Sequence, residues 1–116
     1  MNPKAVRSAS LRIQDMLDAM AGIRETIGGD AVESLMADWT RQHAVERGFE
    51  IISEASRHIP PELKQSEPAT RWDKIAGLGN VLRHDYADVS LPLLFRVAED
   101  EFPGLEAALR RMLARL

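Results

Sequence analysis

The chain has 116 residues, 45% of them hydrophobic and 28% charged, which suits one compact domain over 1–116 with one core. It has no cysteine, so disulfides and cysteine-based zinc sites are excluded, and a cytoplasmic location fits. The net charge of −3 argues against a strong non-specific nucleic-acid binder but leaves room for a small local basic site.

Aromatic residues make up only 5%, and Ala, Leu, Arg and Glu dominate, a composition that favours helices. From Ala9, the residues Ala9, Ile13, Met16, Met20, Ile23 and Ile27 recur at spacings of three and four, with Leu17 beside them. They predict one buried face of a long first helix, ended by Gly28-Gly29. Asp30 is placed to cap a short helix over Ala31 to Met36. A second long helix is expected from about Thr40, burying Val45, Phe49, Ile52, Ala55 and Ile59 and stopped by Pro60-Pro61. Its acidic row, Glu46, Glu50 and Glu54, reads as a solvated face. His43 reads as a surface residue, and His58 as a last-turn cation facing the helix dipole.

Residues 61–70 read as a polar connection with at most one helical turn. A third long helix is expected from about Arg71 to Ala87. Ser90 is expected to cap a fourth, with Pro92 in its first turn. Pro103 opens the last, whose stripe is Leu105, Leu109, Met112, Leu113 and Leu116. Nothing reads as a strand and no apolar run approaches the roughly 20 residues of a membrane span. The opening residues, MNPKAVRSAS, have no apolar signal core. The fold class is therefore all-α, an antiparallel up-down bundle of four to five helices.

One stretch exceeds what folding requires. GNVLRHDYADVS, residues 79–90, places Asn80, Arg83, His84, Asp85 and Tyr86 within two turns. On a helical wheel, Ile75, Leu78, Leu82, Tyr86 and Val89 share the core side. Asp73, Gly77, Asn80, His84 and Ala87 share a nearly opposite side, so Asn80 and His84 stack one turn apart among small residues. Such a face suits close approach by another helix, a second subunit or a ligand.

Its chemistry is suggestive. Histidine titrates near neutral pH and can move a proton. Arginine offers a planar fork of donors for phosphate. Asparagine can bond a phosphate or orient an imidazole, and tyrosine can stack or present a hydroxyl. Together these groups suit metal-free cleavage of RNA by its own 2′-hydroxyl. A satisfied polar face at a dimer seam is the other reading of the same residues. No paired carboxylate motif, glycine-rich phosphate loop or nucleophile elbow is present, and three scattered histidines give no metal-ligand spacing.

WDKIAGLGNVLRHDYADVS resembles the signature of the HepT-like branch of the HEPN superfamily, in which Trp, Ile-Ala-Gly, Arg-Asn and His-x-Tyr follow in order. RQHAVERGFEIISEASRHIPPEL is similar to the family's other long helix, including the pair Glu54-Ala55. LRIQDMLDAMAGI resembles its first helix and FPGLEAALRRML its last, so the resemblance covers almost the whole chain.

The resemblance implies a helical bundle, usually a homodimer, acting as the RNase toxin of a type VII-like toxin–antitoxin module. The implied partners are the RNA substrate, a second copy of the chain, and a small nucleotidyltransferase antitoxin. That antitoxin transfers AMP to the tyrosine two residues after the histidine, which here is Tyr86. His84 is then the expected acid/base, Arg83 the phosphate contact and Asn80 the orienting donor. Glu54 and Asp73 are candidate supporting residues, and neither a metal nor a cofactor is implied. One position departs from the pattern: the family's motif arginine falls on Gly79. Arg83 either takes over its contact, or the protein is a non-catalytic partner and binding subunit of a minimal nucleotidyltransferase.

Overall fold

The computed structural model describes residues 1–84 and 87–116, with residues 87–89 by their backbone alone. Asp85 and Tyr86, and the side chains of Ala87 and Val89 that were assigned to helix faces, lie outside the described residues. Among the described residues seven helices follow in order: α1 (Pro3–Ile27), α2 (Val32–Met36), α3 (Trp39–Arg57), α4 (Pro61–Gln65), α5 (Trp72–His84), α6 (Ala87–Asp100) and α7 (Phe102–Arg115). The five long ones form the expected all-α bundle, and α2 and α4 are short additions. There is no strand among the described residues. None of these helices is long and apolar enough to cross a membrane.

Helix α1 begins earlier than its apolar stripe, because Asn2 and Pro3 start it. Asn2 Oδ1 accepts from the Ala5 amide at 2.8 Å, and the proline needs no donor at the first position. Gly28 ends it in the left-handed region at φ 59°, donating its amide to Arg24 at 2.9 Å. Asp30 does not cap α2; Ala31 holds the cap position and gives no side-chain bond. The Asp30 carboxylate is drawn instead to Arg41 Nη2 at 2.9 Å. That guanidinium also bonds the Thr26 and Ile27 carbonyls at 2.9 to 3.0 Å, satisfying acceptors at the C-terminus of α1.

Helix α6 also starts ahead of expectation. Ser90 is buried inside it rather than capping it, and Pro92 lies within the helix, where its missing N–H removes one bond.

The core forms where α1 packs along α3 and α6 and α7 close over them. Ile13, Met16, Met20 and Ile23 of α1 meet Phe49 and Ile52 of α3, Leu94 of α6, and Leu109 and Met112 of α7. All are buried, and each contributes about 1.5–3 kcal/mol through lost water contact. Phe49 and Phe102 add a tilted ring pair with centroids 5.5 Å apart.

The 61–70 connection is pinned by charge. Glu67 keeps only 7% of its side chain exposed and takes Arg111 on both oxygens, the shortest contact being 2.7 Å, with Arg115 alongside. The hydrogen bond from Arg111 is the main cause that holds the Glu67 carboxyl down at about 2, against the upward push of burial. Trp72 Nε1 then closes the connection onto the Lys64 and Glu67 carbonyls at 3.2 and 3.3 Å.

Candidate functional site

Helix α5 is held on α3 through small residues. Leu78 and Gly79 are its buried positions. Ser53 Oγ, buried on α3, donates to the Ala76 carbonyl at 2.8 Å and accepts from the Gly79 amide at 3.2 Å. The two helices approach so closely there that a Cβ on Gly79 would stand 3.0 Å from Ser53 Oγ and 3.2 Å from Arg83 Nη1. Arg83 thus folds back along its own helix, over the bare glycine, and its Nη2 donates to Asn80 Oδ1 at 2.7 Å.

A polar cleft of about 350 Å³ opens at this crossing. Its walls are Arg47, Glu50, Glu54 and Arg57 from α3 and Arg83 from α5, with Ser53 and Gly79 between them. Glu54 Oε1 lies 3.0 Å from His58 Nε2. The hydrogen bond from His58 holds the Glu54 carboxyl below the usual carboxylate range, against a smaller opposing push from burial. Asn80 and His84 are exposed one turn apart, and His84 is the last residue of α5.

The expected residues are therefore partly gathered. Arg83 and Glu54 line one cleft, and Asn80 is joined to it through Arg83. Asp73 is exposed near the start of α5, beside Arg71 at 3.6 Å, eleven residues or about 16 Å along the axis from His84. Tyr86 lies outside the described residues. Gly77, grouped with Asn80 and His84 on the wheel, lines a different space. This is an apolar cleft of about 550 Å³ against α6 and α7, with Ile75, Leu78, Val81, Leu93 and Val97. His43 stacks on the exposed Trp39 ring at 4.1 Å, one turn before Arg47 on α3.

Sequence reasoning passed over Ser53 and Arg57. Arg57 Nη2 donates to the Ala76 carbonyl at 2.8 Å, beside the bond from Ser53. The available signal was size rather than chemistry: small Ser53 on one helix and small Gly79 on the other mark a close crossing.

The HepT-like ribonuclease family model matches residues 16–112. The protein of Thermococcus cleftensis named "Probable ribonuclease HepT" is 29% identical over 106 residues, 91% of this chain and 96% of that one. A candidate RNase of Caldanaerobacter subterraneus subsp. tengcongensis is 26% identical over 103 residues, covering 89% and 92%. A candidate RNase of Methanocaldococcus jannaschii is 34% identical over 65 residues, covering 56% and 60%. No solved structure matches the chain. The family match spans the core helices and the whole Asn80–His84 segment at once, and the chain belongs to the HepT-like ribonuclease family.

Proposed function

We propose that the protein is a metal-independent RNase toxin of a type VII-like toxin–antitoxin module, acting as a cytoplasmic homodimer. The observation that carries this reading is the set of Asn80, Arg83 and His84 at the end of α5, with the Arg83 guanidinium resting over Gly79. Gly79 is where the family's motif arginine falls. A guanidinium supplied from one turn later therefore covers the place that the motif residue leaves.

In the proposed reaction, His84 takes the proton from a ribose 2′-hydroxyl, and the 2′-oxygen attacks the adjacent phosphorus. The bond from phosphorus to the 5′-oxygen breaks, and that oxygen takes up a proton from an imidazolium. The products are a 2′,3′-cyclic phosphate and a 5′-hydroxyl. Arg83 offsets charge on the non-bridging phosphate oxygens, and Asn80 fixes the direction of its fork. Glu54 supports the cleft wall. Asp73, at the far end of α5, can serve only through a second copy or a longer stretch of RNA.

The homodimer is supported by the apolar cleft beside α5, where Leu93 remains 40% exposed. A cognate nucleotidyltransferase silences the site by moving AMP from ATP onto Tyr86. A second reading, a non-catalytic subunit that presents Tyr86 to that enzyme, is favoured by one fact, the glycine at 79.

The two readings part on purified protein. His84→Ala should keep its helical circular dichroism and lose cleavage of single-stranded RNA by roughly a hundred- to ten-thousand-fold. Equal rates in both proteins would remove His84 from the reaction. No cleavage by the wild type would leave the binding-subunit reading standing.

A further inference from the structure

Arg57 stands in the last turn of α3 and reaches across to α5, where the Ala76 carbonyl holds it at 2.8 Å. On the facing wall, Arg83 is held by Asn80 Oδ1 at 2.7 Å. Both anchors are neutral oxygens. Among the described residues neither guanidinium belongs to an ion pair, whereas Arg47 at the same cleft pairs with Glu50 at 3.2 Å. A guanidinium carries five N–H donors. A bond to one carbonyl fixes its direction and leaves its charge and most of its fork for an arriving anion.

The carboxylates of the cleft are engaged, Glu50 by Arg47 and Glu54 by His58 at 3.0 Å. Among the described residues, three arginines against two glutamates leave the cleft formally positive on a chain whose net charge is −3. Gly79 adds no side chain to its floor. The Ala76 carbonyl that anchors Arg57 is eight residues before His84, about 12 Å along the helix axis. That offset is too long for the phosphate attacked beside His84 and suits one further along the strand.

We infer that Arg57 binds a backbone phosphate further along the strand than the one that is cut, with Arg83 standing between the two, so that single-stranded RNA enters along the α3–α5 cleft. This inference rests on the RNase reading.

The test separates binding from cleavage. A fluorescent 2′-O-methyl oligoribonucleotide offers the phosphates but no attacking hydroxyl, and its anisotropy is titrated with wild type, Arg57→Gln and Arg57→Lys across a salt series. Arg57→Gln should weaken binding about tenfold, the loss of one charge-assisted contact. It should also flatten the dependence of log affinity on log salt by roughly 0.7, one phosphate's share on a single strand. Arg57→Lys should keep the wild-type slope while losing part of the affinity, a result that misfolding would not give. Cleavage of unmodified RNA by the wild type is measured in parallel. If the wild type cuts RNA and Arg57→Gln binds with unchanged affinity and slope, the subsite is wrong and the RNase reading survives. If the wild type neither binds nor cuts, both fall. Binding that depends on Arg57 without cleavage keeps the cleft as an RNA-binding site and overturns its placement relative to a cut phosphate.

Discussion

Arg83 lies folded across Gly79, its Nη1 3.2 Å from the point a Cβ at that position would occupy. The two residues are thereby coupled, since filling position 79 displaces the guanidinium. It also presses on Ser53 Oγ, which is fixed by bonds to Ala76 and Gly79. Gly79→Arg restores the family spacing, and its arm must pass both. We expect it to lose about 1–3 kcal/mol of stability from overpacking. We also expect it to raise cleavage per folded molecule, because an arginine at the motif position replaces a substitute. Urea unfolding read together with RNA cleavage decides this; a stable Gly79→Arg with unchanged cleavage would contradict both expectations.

Glu67 gives a pH signature. Its folded carboxyl sits at about 2 against an ordinary 4.5, through the hydrogen bond from Arg111 and then that from Arg115. A depressed folded value means that the contribution is full above about 4.5 and is lost as the pH falls toward 2. Glu67→Gln should therefore lower Tm clearly at neutral pH, and the gap from wild type should narrow on acidification through that window. A gap that stays constant from neutral pH down to pH 3 would show that the carboxylate's charge is not what pins the 61–70 connection.

Silencing is read by mass. Incubation with a cognate nucleotidyltransferase and ATP should add one AMP to the wild type and none to Tyr86→Phe, which keeps the ring but lacks the acceptor oxygen. The modified protein should lose RNA cleavage, since a phosphate near Arg83 would engage the donor that substrate needs. An unchanged wild-type mass, or the same shift in Tyr86→Phe, would reject Tyr86 as the acceptor.

Association is tested at Gly77. A Cβ there meets nothing within 4 Å among the described residues, so a side chain can leave the helix at that point. Gly77→Trp should remain helical yet weaken the dimer by filling the space beside α5. Light scattering should give a dimer for the wild type and a smaller particle for the variant. A monomeric wild type would end the proposal.

Periodicity made most of the fold legible. The stripes from Ala9 to Ile23 and from Val45 to Ile59 are buried as expected, because packing of amphipathic faces decides long helices. Helix starts were harder. Asp30 and Ser90 have capping side chains, but Arg41 captures the first and helix α6 begins ahead of the second. The site was legible as a list of residue types in α5. Its second wall was not, since Arg57 joins it through the Ala76 carbonyl and Ser53 through that carbonyl and the Gly79 amide, both on another helix. A wheel of one helix also cannot tell that Gly77 turns to an apolar cleft and Gly79 to a polar one, because neighbouring helices make that distinction.

In the proposed reaction His84 and Arg83 drive attack by RNA's own 2′-hydroxyl without a metal. The most direct measurement is end-group analysis of single-stranded RNA digested by the purified wild type in excess EDTA, beside the same digest with His84→Ala. The wild type should leave 2′,3′-cyclic phosphate and 5′-hydroxyl ends, and the variant should leave the RNA intact. Ends bearing a 5′-phosphate, or cleavage that EDTA abolishes, would contradict it.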